Sequence, residues 1–305
     1  MTDAPLIYWH ADDYGMTPSS DRRILECRTH GCLNSVSIVP NGDLSGAMAY
    51  LKDSGLFLAV HLNLVEGKSL SPAKDVPLLV HPDGSFKNSF GGLLKLSISP
   101  KRKEFASQVR QELRAQLLAF ATEPPSGAAL RVDSHQHVHM IPLIFHILLS
   151  IIEEEQLPVS HLRIPAEPMT PFLRQFSLWR TYKLINVIKQ VVLNGCWLLV
   201  KPAFDRSGIS TSVFCGILFS GQMDAERVGR VLPAFYRIAQ RRGQSLELLF
   251  HPGAILPGEP FFDPEKHDFH PFYRSNGRMM EAQALQTLHF PPVTRKGEDV
   301  HHGNY

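Results

Sequence analysis

Short apolar runs alternate with stretches of helix length along most of this chain, and that alternation constrains the fold more than any other feature. "LIYWHA" precedes "SSDRRILECRTHG", "LNSVSIVPN" precedes "LSGAMAYLKDSG", and "LFLAVHLNL" leads into a long irregular stretch. Beyond it come the helix "KEFASQVRQELRAQLLAFA", the strand "ALRVDSH", the helix "PLIFHILLSIIEEEQ" and the strand "SHLRIP". Helices through the 180s and 190s follow, and "AERVGRVLPAFYRIAQRRG" feeds a last strand, "SLELLFHPG". Gly31, Gly55 and Gly243 stand where a glycine closes a helix. Strands alternating with helices predict a parallel sheet with helices outside, either closed into a barrel or doubly wound. No strand is followed by G-x-G-x-x-G or a P-loop, which removes the commonest reasons for the open sheet and favours the barrel.

The expected architecture is therefore α/β: one distorted (β/α) barrel of parallel strands over residues 1–290. Residues 66–100, rich in Pro, Gly, Ser and Lys, are expected as a long loop or small subdomain, and residues 291–305 as a mobile tail. With 44% hydrophobic and 20% charged residues, the 305-residue chain has ample material for a core. Lys and Arg number 31 against 29 Asp and Glu, so no global field points to nucleic acid. Four cysteines without C-x-x-C spacing read as buried thiols, and the start of the chain lacks a signal-peptide pattern, so a cytoplasmic protein is expected. The greasiest stretch, "YKLINVIKQVVLNGCWLLVKPAF" over residues 182–204, is interrupted by Lys189, Gln190 and Asn194 and reads as a helix rather than a membrane span. A core helix is the favoured reading; contact of its apolar face with a lipid or a membrane surface is the alternative.

Three polar clusters, "HADDYG", "VHLNL" and "VDSHQHVH", fall at the C-terminal ends of expected strands, and "FHPG" with His251 ends a fourth. In a parallel α/β fold all such ends lie on one face, so distance in sequence becomes proximity in space. Asp, His and His from three strands form a common ligand set for Zn²⁺ and serve other divalent ions. Such an ion would also explain why Asp12 and Asp13 stand side by side, since burying either carboxylate costs several kcal/mol without compensation. One aspartate would bind the ion and the other would take a proton from its water. Each cluster alone has a plainer reading: a helix cap for the aspartates, a satisfied core residue for His61, a solvated His-rich strand for "DSHQHVH". In an extended chain Asp133, His135, His137 and His139 would share one side.

Together, "ADDYG", "LNSVSIVPNG", "HLNLVEG", "DSHQHVHMIP" and "LLFHPG" resemble the YdjC-like (ChbG-like) carbohydrate deacetylases, in motifs spread from residue 6 to about residue 254. "LRIPAEP" and "LFSGQMDAERV" further resemble the branch associated with hopanoid biosynthesis. The resemblance implies a distorted barrel and metal-dependent removal of an acetyl group from an N-acetylated amino sugar, an oligosaccharide or a lipid-linked N-acetylglucosamine. It implies Asp13, His61 and His135 as ligands of one divalent ion, Zn²⁺ or Mg²⁺, Asp12 as base and His251 as acid. Asp133, His137, His10 and Arg163 are candidates for substrate contact or for supporting the ligands. His10 departs from the family, in which Asn or Thr commonly precedes "ADD". The expected partner is the sugar, with no nucleic acid and no membrane span; a peripheral contact with the inner face of the membrane and a homodimer stay open. Two-ion phosphoesterase or amidohydrolase chemistry and a non-catalytic sugar-binding module are the competing readings.

Overall fold

A computed structural model describes residues 4–44, 51, 53–121 and 129–288. Among these residues seven parallel strands form one sheet in the order β5-β4-β3-β2-β1-β7-β6. They are β1 (Ile7–Tyr14), β2 (Ser35–Ile38), β3 (Phe57–Leu62), β4 (Leu130–Ser134), β5 (Val159–Leu162), β6 (Val213–Cys215) and β7 (Leu246–Phe250). Six of these match the apolar runs; β6 is additional. The sheet curls until its edges meet: His161 of β5 bridges Ser210 just ahead of β6, with Leu162 N donating to the Ser210 carbonyl at 3.0 Å. The result is a distorted barrel, the form favoured over the open sheet.

Every residue of β1 is buried, as are all of β2, β4, β6 and β7. Burial on both faces explains why the strands read as apolar runs rather than as alternating patterns. The main helices are α1 (Pro18–His30), α2 (Phe90–Ser97), α3 (Arg102–Ala121), α4 (Pro142–Glu154), α5 (Leu184–Ser207), α6 (Ala225–Arg242) and α7 (Asn276–Thr287). The helix expected from "LSGAMAYLKDSG" falls largely outside the described residues, as does the tail beyond residue 288. Residues 66–100 are clipped by bridges between Lys68 and Ser85 and between Val80 and Phe86. Val76, Leu79, Phe86 and Leu93 join the main core, so this stretch packs down onto the barrel.

Two expectations change. The histidine-rich segment does not continue β4: after Ser134 the chain turns through a 3-10 helix, His135–Met140, with Gln136 and His137 in the left-handed region at φ 50° and 57°. Its three histidines therefore point to three different places. Helix α5 is not a core helix all round, because a whole apolar side of it faces outward.

Candidate metal centre and its buried charge network

Strand register sets the site. Ala11 of β1 lies opposite Val36 of β2 and Phe250 of β7, while His61 of β3 lies opposite Asp133 of β4. The polar residues that follow the apolar runs thus converge at the C-terminal end of the sheet. Asp13, with φ 74° in the left-handed region, turns away from the strand path that Asp12 still follows.

Asp13, His61 and His135 each present an atom within 4.8 Å of the others, and all three are buried. His61 Nδ1 pairs with Asp133 Oδ1 at 2.6 Å. Its other nitrogen, Nε2, is buried without a hydrogen bond among the described residues, 3.6 Å from Asp13 Oδ1 and 3.9 Å from Asp12 Oδ2. His135 mirrors this arrangement: Nε2 meets Glu66 Oε2 at 2.7 Å, and Nδ1 faces Asp13 Oδ1 at 3.2 Å. Each imidazole is braced by a carboxylate on its far nitrogen and turns the near one toward Asp13, the arrangement by which proteins aim metal-binding histidines. Orphaned polar nitrogen in the interior is costly, so His61 Nε2 by itself points to a missing partner. Two imidazoles and a carboxylate fit a divalent ion of the zinc type.

Burial alone would lower the histidine pKa values, but the surrounding carboxylates overcome it. Asp12 and Asp133 push His61 up to about 10. Hydrogen bonds to Asp13 and Glu66 push His135 up to about 9. The surrounding carboxylates thus favour the charged form of both rings, and a metal ion binding there would compete with their protons.

Asp12 is held quite differently. Its oxygens accept from Arg163 Nη1 and Nη2, both at 2.9 Å, and the same guanidinium reaches Asp133 Oδ2 at 2.8 Å and Glu247 through Nε. Burial would raise the Asp12 pKa, yet Arg163 and His61 hold it well below the carboxylate range. Arg163 is itself buried, enclosed by three carboxylates. Its backbone is fixed as well, because His139 Nε2 lies 2.8 Å from the Arg163 carbonyl while Nδ1 meets Ser134 Oγ. Burial lowers His139 to about 4, so it is neutral and donates to that carbonyl. Asp13 has its own cation, Arg278 of α7, with Nη1 at 3.2 Å from Oδ2.

His10 is buried with Nδ1 and Nε2 each 2.7 Å from a serine hydroxyl, Ser35 and Ser37. Those hydroxyls donate onward to the Phe57 carbonyl and to Asp133, which ties His10 into the same network. His10 Nε2 also lies 3.2 Å from Asp12 Oδ1. His137 packs edge-on against Phe214 and leaves a buried Nδ1 without a partner; burial and Arg163 hold its pKa well below the usual value. His251 follows β7, with its backbone N–H on Glu281, its Nδ1 3.6 Å from the same carboxylate and its ring edge-on to Phe272.

Sequence reasoning missed Glu66, Glu247, Arg278 and Tyr273. Glu66 is placed by Asn63, whose Oδ1 accepts from Val65 and Glu66 N–H and whose Nδ2 donates to the Glu66 carbonyl. Tyr273 donates its hydroxyl to Glu66. Glu247 did leave a signal: a lone charge inside the apolar strand "SLELLF" must find a buried partner.

A family model described as YdjC-like protein matches residues 6–292. The chain is 30% identical over 248 residues to a carbohydrate deacetylase of Mus musculus, covering 80% of this chain and 76% of that one. A chitooligosaccharide deacetylase of Proteus mirabilis is 28% identical over 169 residues, 54% of this chain and 62% of that one. The solved structure of an Enterococcus faecalis protein named for cellobiose-phosphate cleavage superposes with a TM-score of 0.62 at 21% identity, over 93% of this chain and 92% of that one. At that identity the likeness is one of fold.

Proposed function

Since the chain belongs to the YdjC-like family, we propose that it is a carbohydrate deacetylase: a hydrolase of the amide bond of an N-acetylated amino sugar, working with one divalent ion held by Asp13, His61 and His135. The observation that carries this reading is the convergence of His61 Nε2, left without a hydrogen bond, on Asp13 beside His135 Nδ1, while Asp133 and Glu66 brace the two rings from behind. When bound, such an ion polarises the amide carbonyl and makes its water acidic enough to ionise near neutral pH.

The chain's own residues supply the rest. Asp12 is the proton acceptor, kept ionised and aimed by the two-pronged grip of Arg163. His251, on the loop after β7, is the candidate proton donor to the departing sugar amine, which cannot leave as an amide anion. Asp133 and Glu66 fix the tautomers and orientations of the ligand histidines. Two nitrogen donors beside one carboxylate favour Zn²⁺ or a similar ion over Mg²⁺, which prefers oxygen.

A two-ion phosphoesterase is disfavoured by Arg163. His10, Asp12 and Asp133 form a second group with ligand-like spacing. That group already holds a guanidinium, bound to both oxygens of Asp12 and to Asp133.

The test is acetate release from soluble and lipid-linked N-acetylhexosamines after loading with Zn²⁺, Co²⁺, Mn²⁺ or Mg²⁺, with metal content measured on the same samples. One ion per chain and acetate release from at least one sugar are expected. Metal-loaded protein that releases no acetate from any of them, or that carries two ions and cleaves phosphoesters, refutes the reading.

A further inference from the structure

Helix α5 is apolar on both sides: Leu193, Cys196, Val200 and Phe204 are buried, while a second apolar stripe faces outward. Three amide side chains hold the buried side to the protein: Asn186 Nδ2 donates to the Leu218 and Ser220 carbonyls, Gln190 Nε2 to Glu167 Oε2, and Asn194 Nδ2 to the Glu167 carbonyl. Glu167 is itself buried and accepts backbone N–H groups from Gly216, Ile217 and Leu218. The opposite side carries Leu184, Ile188, Val191, Leu198 and Leu199 at 50–74% exposure, spaced as one stripe along the helix. A surface helix ordinarily buries its apolar stripe and shows water its polar one. Here Gln190 and Asn194 are committed to Glu167 and Asn186 to the Leu218 and Ser220 carbonyls, so the helix cannot roll over to hide the stripe. The segment just before it adds Phe176 and Trp179, exposed at 72% and 46%.

We propose that this face is a docking surface for an anionic lipid bilayer, on which α5 lies flat. The charges select this occupant. Between residues 169 and 207 the chain carries Arg174, Arg180, Lys183, Lys189, Lys201 and Arg206 against one acid, Asp205, and all seven are exposed. An apolar stripe with cations and aromatic rings at its margins is the composition that binds at a headgroup boundary. A second copy of the chain fits poorly, because a two-fold dimer through this face sets one net-positive patch against another. By length and composition α5 is also apolar enough to cross a membrane. Its amide side is fastened to the barrel, however, which leaves one face free and makes the contact interfacial.

The experiment is flotation of the full chain with vesicles of phosphatidylcholine alone or with a quarter phosphatidylglycerol. The protein should float with the anionic vesicles, much less with the neutral ones, and progressively less between 0.1 M and 1 M salt, as the screening length falls from about 10 Å to about 3 Å. The double variant Ile188→Glu, Leu198→Glu should bind at least tenfold less with an unchanged melting temperature, because both side chains already face solvent. Arg180→Gln with Lys183→Gln should weaken binding to anionic vesicles several-fold and flatten its salt dependence. The proposal is overturned by wild-type protein that floats with neither vesicle or by a glutamate variant that floats like wild type. A wild-type dimer that ignores vesicles and is split by the glutamate variant would assign the face to a second copy and overturn it equally. None of these readouts involves metal or acetate, so they stand apart from the deacetylase assignment.

Discussion

Replacing Arg163 with methionine is the sharpest test of how this interior is balanced. The side chain keeps similar volume but removes two hydrogen bonds of 2.9 Å to Asp12, one of 2.8 Å to Asp133 and the contact with Glu247. Three buried carboxylates then lose their shared counter-charge. Breaking a buried pair by deleting one partner costs about 3–5 kcal/mol. At about 2–4 °C per kcal/mol in a domain of this size, the melting temperature should fall by roughly 10 °C. The pH dependence fixes the cause. Arg163 holds the Asp12, Asp133 and Glu247 pKa values below normal against the opposing effect of burial, so its contribution is present above the ordinary carboxylate pKa and is lost as pH falls through the depressed values. In Arg163→Met those carboxylates take up protons at higher pH than in the parent, and the stability gap should shrink between pH 7 and pH 4.5. Urea unfolding followed by circular dichroism at pH 7, 5.5 and 4.5 measures it. A variant within 1 kcal/mol of wild type at pH 7, or a gap that widens on acidification, refutes the reasoning.

Asp12→Asn should keep about one zinc ion per chain by elemental analysis and lose turnover by about 10²–10⁴-fold, the usual contribution of a positioned base, whereas His135→Ala should lose both. Full activity in Asp12→Asn moves the base elsewhere. Glu66→Gln removes the charge behind His135 and should weaken zinc binding about tenfold by competition with a chelator, at little cost to the fold; an unchanged affinity removes Glu66 from that role. Zinc binding at pH 7.5 should release about two protons per ion, because His61 near 10 and His135 near 9 are both charged beforehand. Apparent affinity should then fall as pH falls. Calorimetry in buffers of different ionisation enthalpy counts the protons, and a count near zero contradicts the picture.

The sequence reveals where the site lies better than how it is wired. An apolar run that ends abruptly in polar residues locates the C-terminal end of a buried strand, and β1, β3, β4 and β7 all carry that signature. Strand β6 is three residues long inside the continuous apolar stretch "SVFCGILF", so no change of pattern marks it. The direction of His135, His137 and His139 depends on two left-handed residues, Gln136 and His137, that neither glycine nor a turn motif announces. Arg163 was visible as a charge beside a strand, but its three partners come from β1, β4 and β7, and only closure of the sheet brings them together. Helix α5 is apolar on more than one side, so periodicity finds the helix without telling which stripe turns inward; the buried carboxylate of Glu167 decides that.

The adjacent aspartates show how these levels connect. Side by side in sequence they repel, yet both are buried and both are held ionised. The fold separates their surroundings: Arg163, 151 residues away, grips Asp12, and Arg278, 265 residues away, reaches Asp13. Neither counter-charge is local, so the pair is tolerated only once the barrel has closed. The histidines complete the balance. The carboxylates around His61 and His135 favour the protonated rings, so a divalent ion held by the proposed ligands would replace two protons with two charges of its own. Loading would then leave the net charge of this interior unchanged, and the grip of Arg163 on Asp12 and Asp133 would not have to relax.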